Sequence, residues 1–144
     1  MACKITFELL TESQTGTIGN DWKYELEAKI FSGRRIGEGT IKVKKHDLES
    51  GDTQKPPGPP APMVLPAGEP GDDIRVALKL SVAEVDLFEN DTGEMSTELR
   101  YTCPPAGSNP IVEERELSVG VVEQPSGIGT AEFTLCFQVT LAAE

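Results

Sequence analysis

The densest run of side chains able to do chemistry in this sequence is acidic. Glu84, Asp86, Glu89, Asn90, Asp91 and Glu94 crowd around one turn. They offer only oxygen donors, the set that a hard cation such as calcium gathers into a shell. Asp86, Glu89, Asn90, Asp91 and Glu94 are therefore the candidate calcium ligands, with Glu84 beside them. The turn lacks the alternating ligand positions, central Gly and terminal Glu of an EF-hand loop, so ligand type alone carries this reading. The plainer reading is an acidic β-turn in water. Glu84 and Asp86 could also act as an acid/base pair, but two residues apart on one strand face they stand roughly 7 Å from each other, with no cleft or partner in view.

Other chemistry is sparser. The sole histidine, His46, follows Lys44 and Lys45 at a strand end and has no GxSxG elbow or Cys-His pattern for company, so it reads as a solvated turn residue. Gly37-Glu38-Gly39 is too short for a phosphate loop and sits in a hairpin. Cys3, Cys103 and Cys136 are odd in number and lack the close spacing of zinc or redox sites. A disulfide between two of them is open, and nothing in the sequence requires it.

Hydrophobic alternation with period two recurs along the chain and sends successive side chains to opposite faces of a sheet. Ile5, Phe7 and Leu9 alternate with polar residues. Trp22, Tyr24, Leu26, Ala28 and Ile30 share one face opposite Lys23, Glu25, Glu27 and Lys29. Ile41 and Val43 follow the turn at Ser32-Gly33-Arg34. Ile74 to Val82 keep even phase, then Val85 and Leu87 take odd phase, which predicts a β-bulge or bend near Val82 to Glu84. Met95 to Cys103, Leu117 to Val121 and Ala131 to Leu141 complete the set. Seven to eight strands with turn signals between them, and no helical period, predict an antiparallel β-sandwich, with a closed β-barrel as the alternative. Residues 1–144 read as one domain, with Trp22, Leu26, Phe133 and Phe137 in its core.

A proline-rich connection, 54–73, interrupts the alternation. Lys55, Pro56, Pro57, Pro59, Pro60 and Pro62 contain overlapping PxxP spacings beside a cation, as a docking peptide would. Met63-Val64-Leu65 favour a plainer outcome, a stiff loop held on the sandwich or paired at its edge. If every connection reverses direction, Thr11–Asp21, His46–Asp73 and Pro104–Pro110 share one end of the sandwich. The acidic turn then lies at the other end with Arg34 and Arg35, away from Asp47, Glu49, Asp52, Asp72 and Asp73.

Composition narrows the function classes. The 144 residues carry 13 Lys or Arg against 24 Asp or Glu, a formal charge of −11, which disfavours nucleic acid as a partner. Residues 1–55 are balanced at nine and nine, so the negative excess lies in 56–144, with four against fifteen. Lys42, Lys44, Lys45, Arg34 and Arg35 read as solubilising edge charges. No apolar run approaches the roughly 18 residues of a membrane helix. With no apolar leader after Met1, a reducing cytoplasm is the expected setting, and leaderless export is the alternative. The first functional reading is a noncatalytic binding or assembly module that meets a protein partner or its own copies through loop ends or a sheet edge. The second is calcium-dependent recognition through 84–94, and the third is a small hydrolase with no recognisable motif.

Overall fold

The computed structural model describes residues 2–87 and 89–144; Met1 and Phe88 lie outside the described residues. Nine strands form in chain order: β1 (Cys3–Gly16), β2 (Asp21–Ser32), β3 (Arg34–Asp47), β4 (Thr53–Gln54), β5 (Met63–Pro66), β6 (Asp73–Glu84), β7 (Asp91–Thr102), β8 (Ile111–Val122) and β9 (Thr130–Ala143). Seven are long and two are short. There is no helix among the described residues, and so none long and apolar enough to cross a membrane.

Two antiparallel sheets pack as a sandwich, not as a closed barrel. One has the order β3-β2-β6-β7, and the other β4-β1-β9-β8 with β5 also paired to β1. The alternating residues close the core between them. Trp22, Leu26, Phe133 and Phe137 are all buried. Phe133 meets Trp22 and Tyr24 from the opposite sheet at ring-centroid distances of 5.7 and 4.9 Å. The sheets also approach closely at their margins, where glycines take the place of side chains. A Cβ on Gly93 of β7 would lie 2.5 Å from the Gly120 carbonyl of β8, and one on Gly39 of β3 would lie 2.7 Å from Met63 Sδ of β5. Gly39 thus serves packing, in a segment where no phosphate loop was expected.

The proline-rich connection does not return to its starting end. Thr53 and Gln54 pair with Ser13 and Glu12, and Met63 to Pro66 pair with Phe7 to Lys4, so the connection runs the length of β1 as an interrupted edge strand. That extra traverse corrects the expected distribution of loops. The connections 17–20, 48–52, 85–90 and 123–129 gather at one end, joined by Leu48 N–H to Asn20 O, Val85 N–H to Asp21 O and Thr17 N–H to Thr130 O. Asp47, Glu49 and Asp52 therefore share the end of the acidic turn. Arg34 and Arg35 lie at the opposite end, with Arg35 3.6 Å from Glu38. Asp72 and Asp73 also lie there, beside Cys103 and Thr102.

Of the bulge or bend expected near Val82 to Glu84, the bulge is absent, and the chain instead leaves the sheet after Glu84. β6 keeps one register with both neighbours to its end at Glu84, and the odd-phase residues Val85 and Leu87 fall in the connection beyond. The register shifts are elsewhere: at Leu10 of β1 against β9, and at Lys44-Lys45 and Ile36 of β3 against β2.

Cys3 at the start of β1 and Cys103 just after β7 form a disulfide, with Cα atoms 6.3 Å apart, while Cys136 is free. The bridge links the two sheets at the end away from the acidic turn. Because it closes a loop of about 100 residues, replacing both cysteines by alanine is expected to lower the free energy of unfolding by about 2–4 kcal/mol in urea denaturation. Gly93→Val, which forces β7 away from β8, is expected to cost about 1–3 kcal/mol in the same assay.

Candidate functional site

Glu84 ends β6 and Asp91 begins β7, and the two are directly paired across the ladder. Like charges placed opposite one another destabilise a sheet, so this pair demands neutralisation. Asp86, in the connection, adds a third carboxylate, and one oxygen of each of the three lies within 4.8 Å of the others. Glu84 is 2% exposed and Asp91 is 0% exposed, whereas Asp86 opens to solvent.

Each buried carboxylate has one oxygen anchored by the backbone. Asp21 N–H donates to Glu84 Oε2 over 3.3 Å, and Gln124 N–H donates to Asp91 Oδ1 over 2.7 Å. The other oxygens, Glu84 Oε1 and Asp91 Oδ2, are buried with no hydrogen bond from an N–H or hydroxyl, and each of these carboxyls also hydrogen-bonds the Asp86 side chain when a proton is present. Among the described residues no Lys, Arg or His forms an ion pair with any of the three. Burial, reinforced by the charge of Asp86, pushes Glu84 up to about 7. Burial raises Asp91 as well, against the lowering effect of the Gln124 N–H.

The connection before β2 forms the lid over Glu84. Gly19 has φ +143°, and a Cβ there would stand 2.6 Å from the Glu84 carboxyl carbon. Its carbonyl accepts from Trp22 Nε1 at 3.1 Å and from Gln14 Nε2 at 3.3 Å, which fixes the lid to the core. A side chain at position 19 would displace the carboxylate or the loop.

Of the sequence-derived calcium candidates, the structure brings Asp86 and Asp91 together and joins them to Glu84. Asn90 lies beside them, with its Oδ1 accepting from Asp86 N–H at 3.3 Å, so it shapes the loop. Glu89 is exposed, and Glu94 projects from β7 toward Lys79 at 3.3 Å. In the proline segment Lys55, Pro57, Pro59 and Pro62 are exposed, Pro60 is half-buried and Pro56 is buried.

A second polar cluster at the same end was not legible as a site. The bulge at Leu10 shifts the phase of β1, so Glu12 and Gln14 enter the core where Ile5 and Phe7 would lead one to expect apolar residues. The bulge at Lys44-Lys45 likewise turns His46 inward, opposite Trp22. His46 is thus not the solvated turn residue expected: its side chain is 10% exposed, and its Nε2 meets Glu12 Oε2 at 2.5 Å. Tyr24 OH donates to Glu12 Oε1 at 2.7 Å and Gln54 Nε2 donates to Glu12 Oε2 at 3.0 Å. Burial, together with the hydrogen bond to Glu12 and its charge, holds the Tyr24 phenol well above its usual range, so it remains a donor. Nδ1 of His46 lies 2.7 Å from the Lys44 carbonyl, which can only accept, so Nδ1 carries a proton. Both ring nitrogens are therefore engaged, and neither has a lone pair free to activate a nucleophile. The sequence signals for both bulges are doublets, Leu9-Leu10 and Lys44-Lys45, which interrupt otherwise regular alternation.

No protein-family model matches the chain, and no curated protein matches it either.

The carboxylate cluster has a definite pH signature. Glu84 binds its proton more tightly in the folded state, about 7 against 4.5, so its burial is least costly below pH 4.5 and stability is lost as pH rises through 7. The stability advantage of Glu84→Gln over wild type in metal-free buffer is expected to grow from about pH 5 to about pH 8, as read by thermal unfolding. Glu12→Ala strands Tyr24 and His46 in the core and is expected to cost about 3 kcal/mol.

Proposed function

We propose that the protein is a noncatalytic β-sandwich recognition module whose loop end binds a divalent cation at Glu84, Asp86 and Asp91. The observation that carries this reading is the buried Glu84–Asp91 pair, with two oxygens that no N–H or hydroxyl reaches and only a third carboxyl, Asp86, beside them. Burying like charges together is costly unless a proton or a cation neutralises them. A cation at the mouth of the cluster would meet oxygens already fixed by backbone N–H groups.

Calcium fits this donor set better than zinc, which favours imidazole and thiolate ligands. It also fits better than magnesium, which demands a near-octahedral shell, whereas calcium accepts irregular carboxylates and completes its sphere with water. Asp86, on an exposed connection, can move to meet the ion. A recognition role rather than a catalytic one is supported by His46, the sole histidine, whose ring nitrogens are both committed within the fold.

Thermal unfolding of the full chain in calcium and in chelator tests the reading. Calcium at a hundredfold excess over its dissociation constant is expected to stabilise the fold by about 2.7 kcal/mol. Asp91→Asn is expected to abolish most of that shift. A wild-type transition unmoved by calcium, at a pH where Glu84 is ionised, would overturn the proposal.

A further inference from the structure

The outer faces of the two sheets carry opposite free charges. On the face of β3-β2-β6-β7, Lys23 lies opposite the Lys44-Lys45 bulge and Lys42 two residues further along, and none of these four lysines makes an ion pair among the described residues. The other cations of this face are held by neighbours: Lys29 by Glu27, Lys79 by Glu94, and Arg75 and Arg100 by Glu98. Lys23, Lys42 and Lys44 rim a trough of about 610 Å³ whose lining includes Ala83, which is buried although it points outward from β6. Glu25 and Glu94 line it too, but Glu94 is tied to Lys79, so three free ammonium groups share the trough with one free carboxylate, Glu25. Past its loop-end margin come Lys45 and the ladder pair Asp21–Asp47. On the outer face of β1-β9-β8, Glu8 and Glu114 flank Gln138, with Glu116 and Glu132 further along, all four exposed and without an ion pair among the described residues. Lys4 of that face is tied to Glu144 at 3.1 Å, and Lys55 lies at its margin, after β4.

We infer that copies of this chain stack face to back, the lysine-rimmed outer face of β3-β2-β6-β7 in one copy docking on the acidic outer face of β1-β9-β8 in the next. The occupant is a second copy because this chain itself supplies the complement: three free ammonium groups on one face, and Glu8, Glu114 and Glu116 on the other. The faces also match in extent. Strands of 12 to 14 residues, about 3.3 Å per residue and four abreast at about 4.8 Å, make each face roughly 40 Å by 19 Å. Full overlap removes roughly 1,500 Å² of surface in total, the size of a stable specific interface. Because the two surfaces differ, the contact runs head to tail and its repetition gives open chains or a ring rather than a closed dimer. The net charge of −11 opposes approach at long range, but at about 150 mM salt that repulsion is screened beyond roughly 8 Å and the charges brought into contact decide the outcome. The inference does not depend on cation binding at Glu84, Asp86 and Asp91.

The test is sedimentation equilibrium of the full chain in chelator, over rising protein concentration at about 150 mM salt. The average mass is expected to climb above that of one copy. The triple variant Lys23→Gln, Lys42→Gln, Lys44→Gln is expected to associate ~10-fold more weakly or worse. Glu8→Lys, Glu114→Lys, Glu116→Lys is expected to show the same loss, although it reduces the net negative charge and would associate more strongly if overall repulsion alone governed the outcome. All six side chains are exposed, so neither variant disturbs the core. Each variant keeps one intact face, so an equimolar mixture of the two is expected to form one-to-one dimers and nothing larger. A wild-type chain that stays single up to about 1 mM, association unaffected by either triple variant, or a mixture that forms no dimer would overturn the inference.

Discussion

The constraint on which the rest of the structure depends is the two-residue repeat of the pleat. Each strand can bury only alternate side chains, and a sandwich of two sheets makes that choice nearly irreversible, because one extra residue moves everything beyond it to the other face. In most of this chain the repeat carries apolar residues inward without interruption, and β2 and β9 show it from end to end. Where it is broken, polar groups are carried into the interior and must find partners there. The Leu10 and Lys44-Lys45 bulges do this together, and the buried carboxylate of Glu12 finds its imidazole, phenol and amide across three other strands.

The two polar clusters at the loop end therefore solve the same problem differently. Both Glu12 oxygens face donors, although Oε1 of the neighbouring Gln14 is buried without a partner. Around Glu84 and Asp91 the backbone satisfies one oxygen of each carboxylate, and only the Asp86 carboxyl is left to meet the rest. Native interiors seldom leave such oxygens alone, and an incomplete group next to solvent is where a ligand makes its largest difference. The Glu12 cluster is held by four strands, whereas the Glu84–Asp91 cluster opens to solvent through Asp86.

Much of the architecture was legible because alternation reports burial directly: the seven long strands, the sandwich and its aromatic centre all follow from it. The arrangement of the ends was not, since it depended on counting Thr53–Gln54 and Met63–Pro66 as connection when they form an edge strand. Met63-Val64-Leu65 were readable as a segment paired at an edge, and they do pair with β1, but segments of two and four residues among prolines show no direction, and one uncounted traverse moves every later loop to the opposite end. The same miscount paired Arg34 and Arg35 with carboxylates they do not meet. The acidic turn was readable as a candidate from residue type, but the depth of Glu84 and Asp91 came from the lid at Gly19 and the neighbouring 123–129 connection, which are distant in sequence. The Cys3–Cys103 pairing likewise joins positions that only the tertiary fold brings together.

The outer strands β1 and β9 run side by side, with Cys3 opposite Ala143 and Glu144 N–H bonded to the Ala2 carbonyl. Both described chain ends thus leave from one pole, roughly 40 Å of strand away from the carboxylates. Anything joined to either end, whether a neighbouring segment, a tether or a reporter, would leave the sandwich at the pole opposite the carboxylates and would not crowd them.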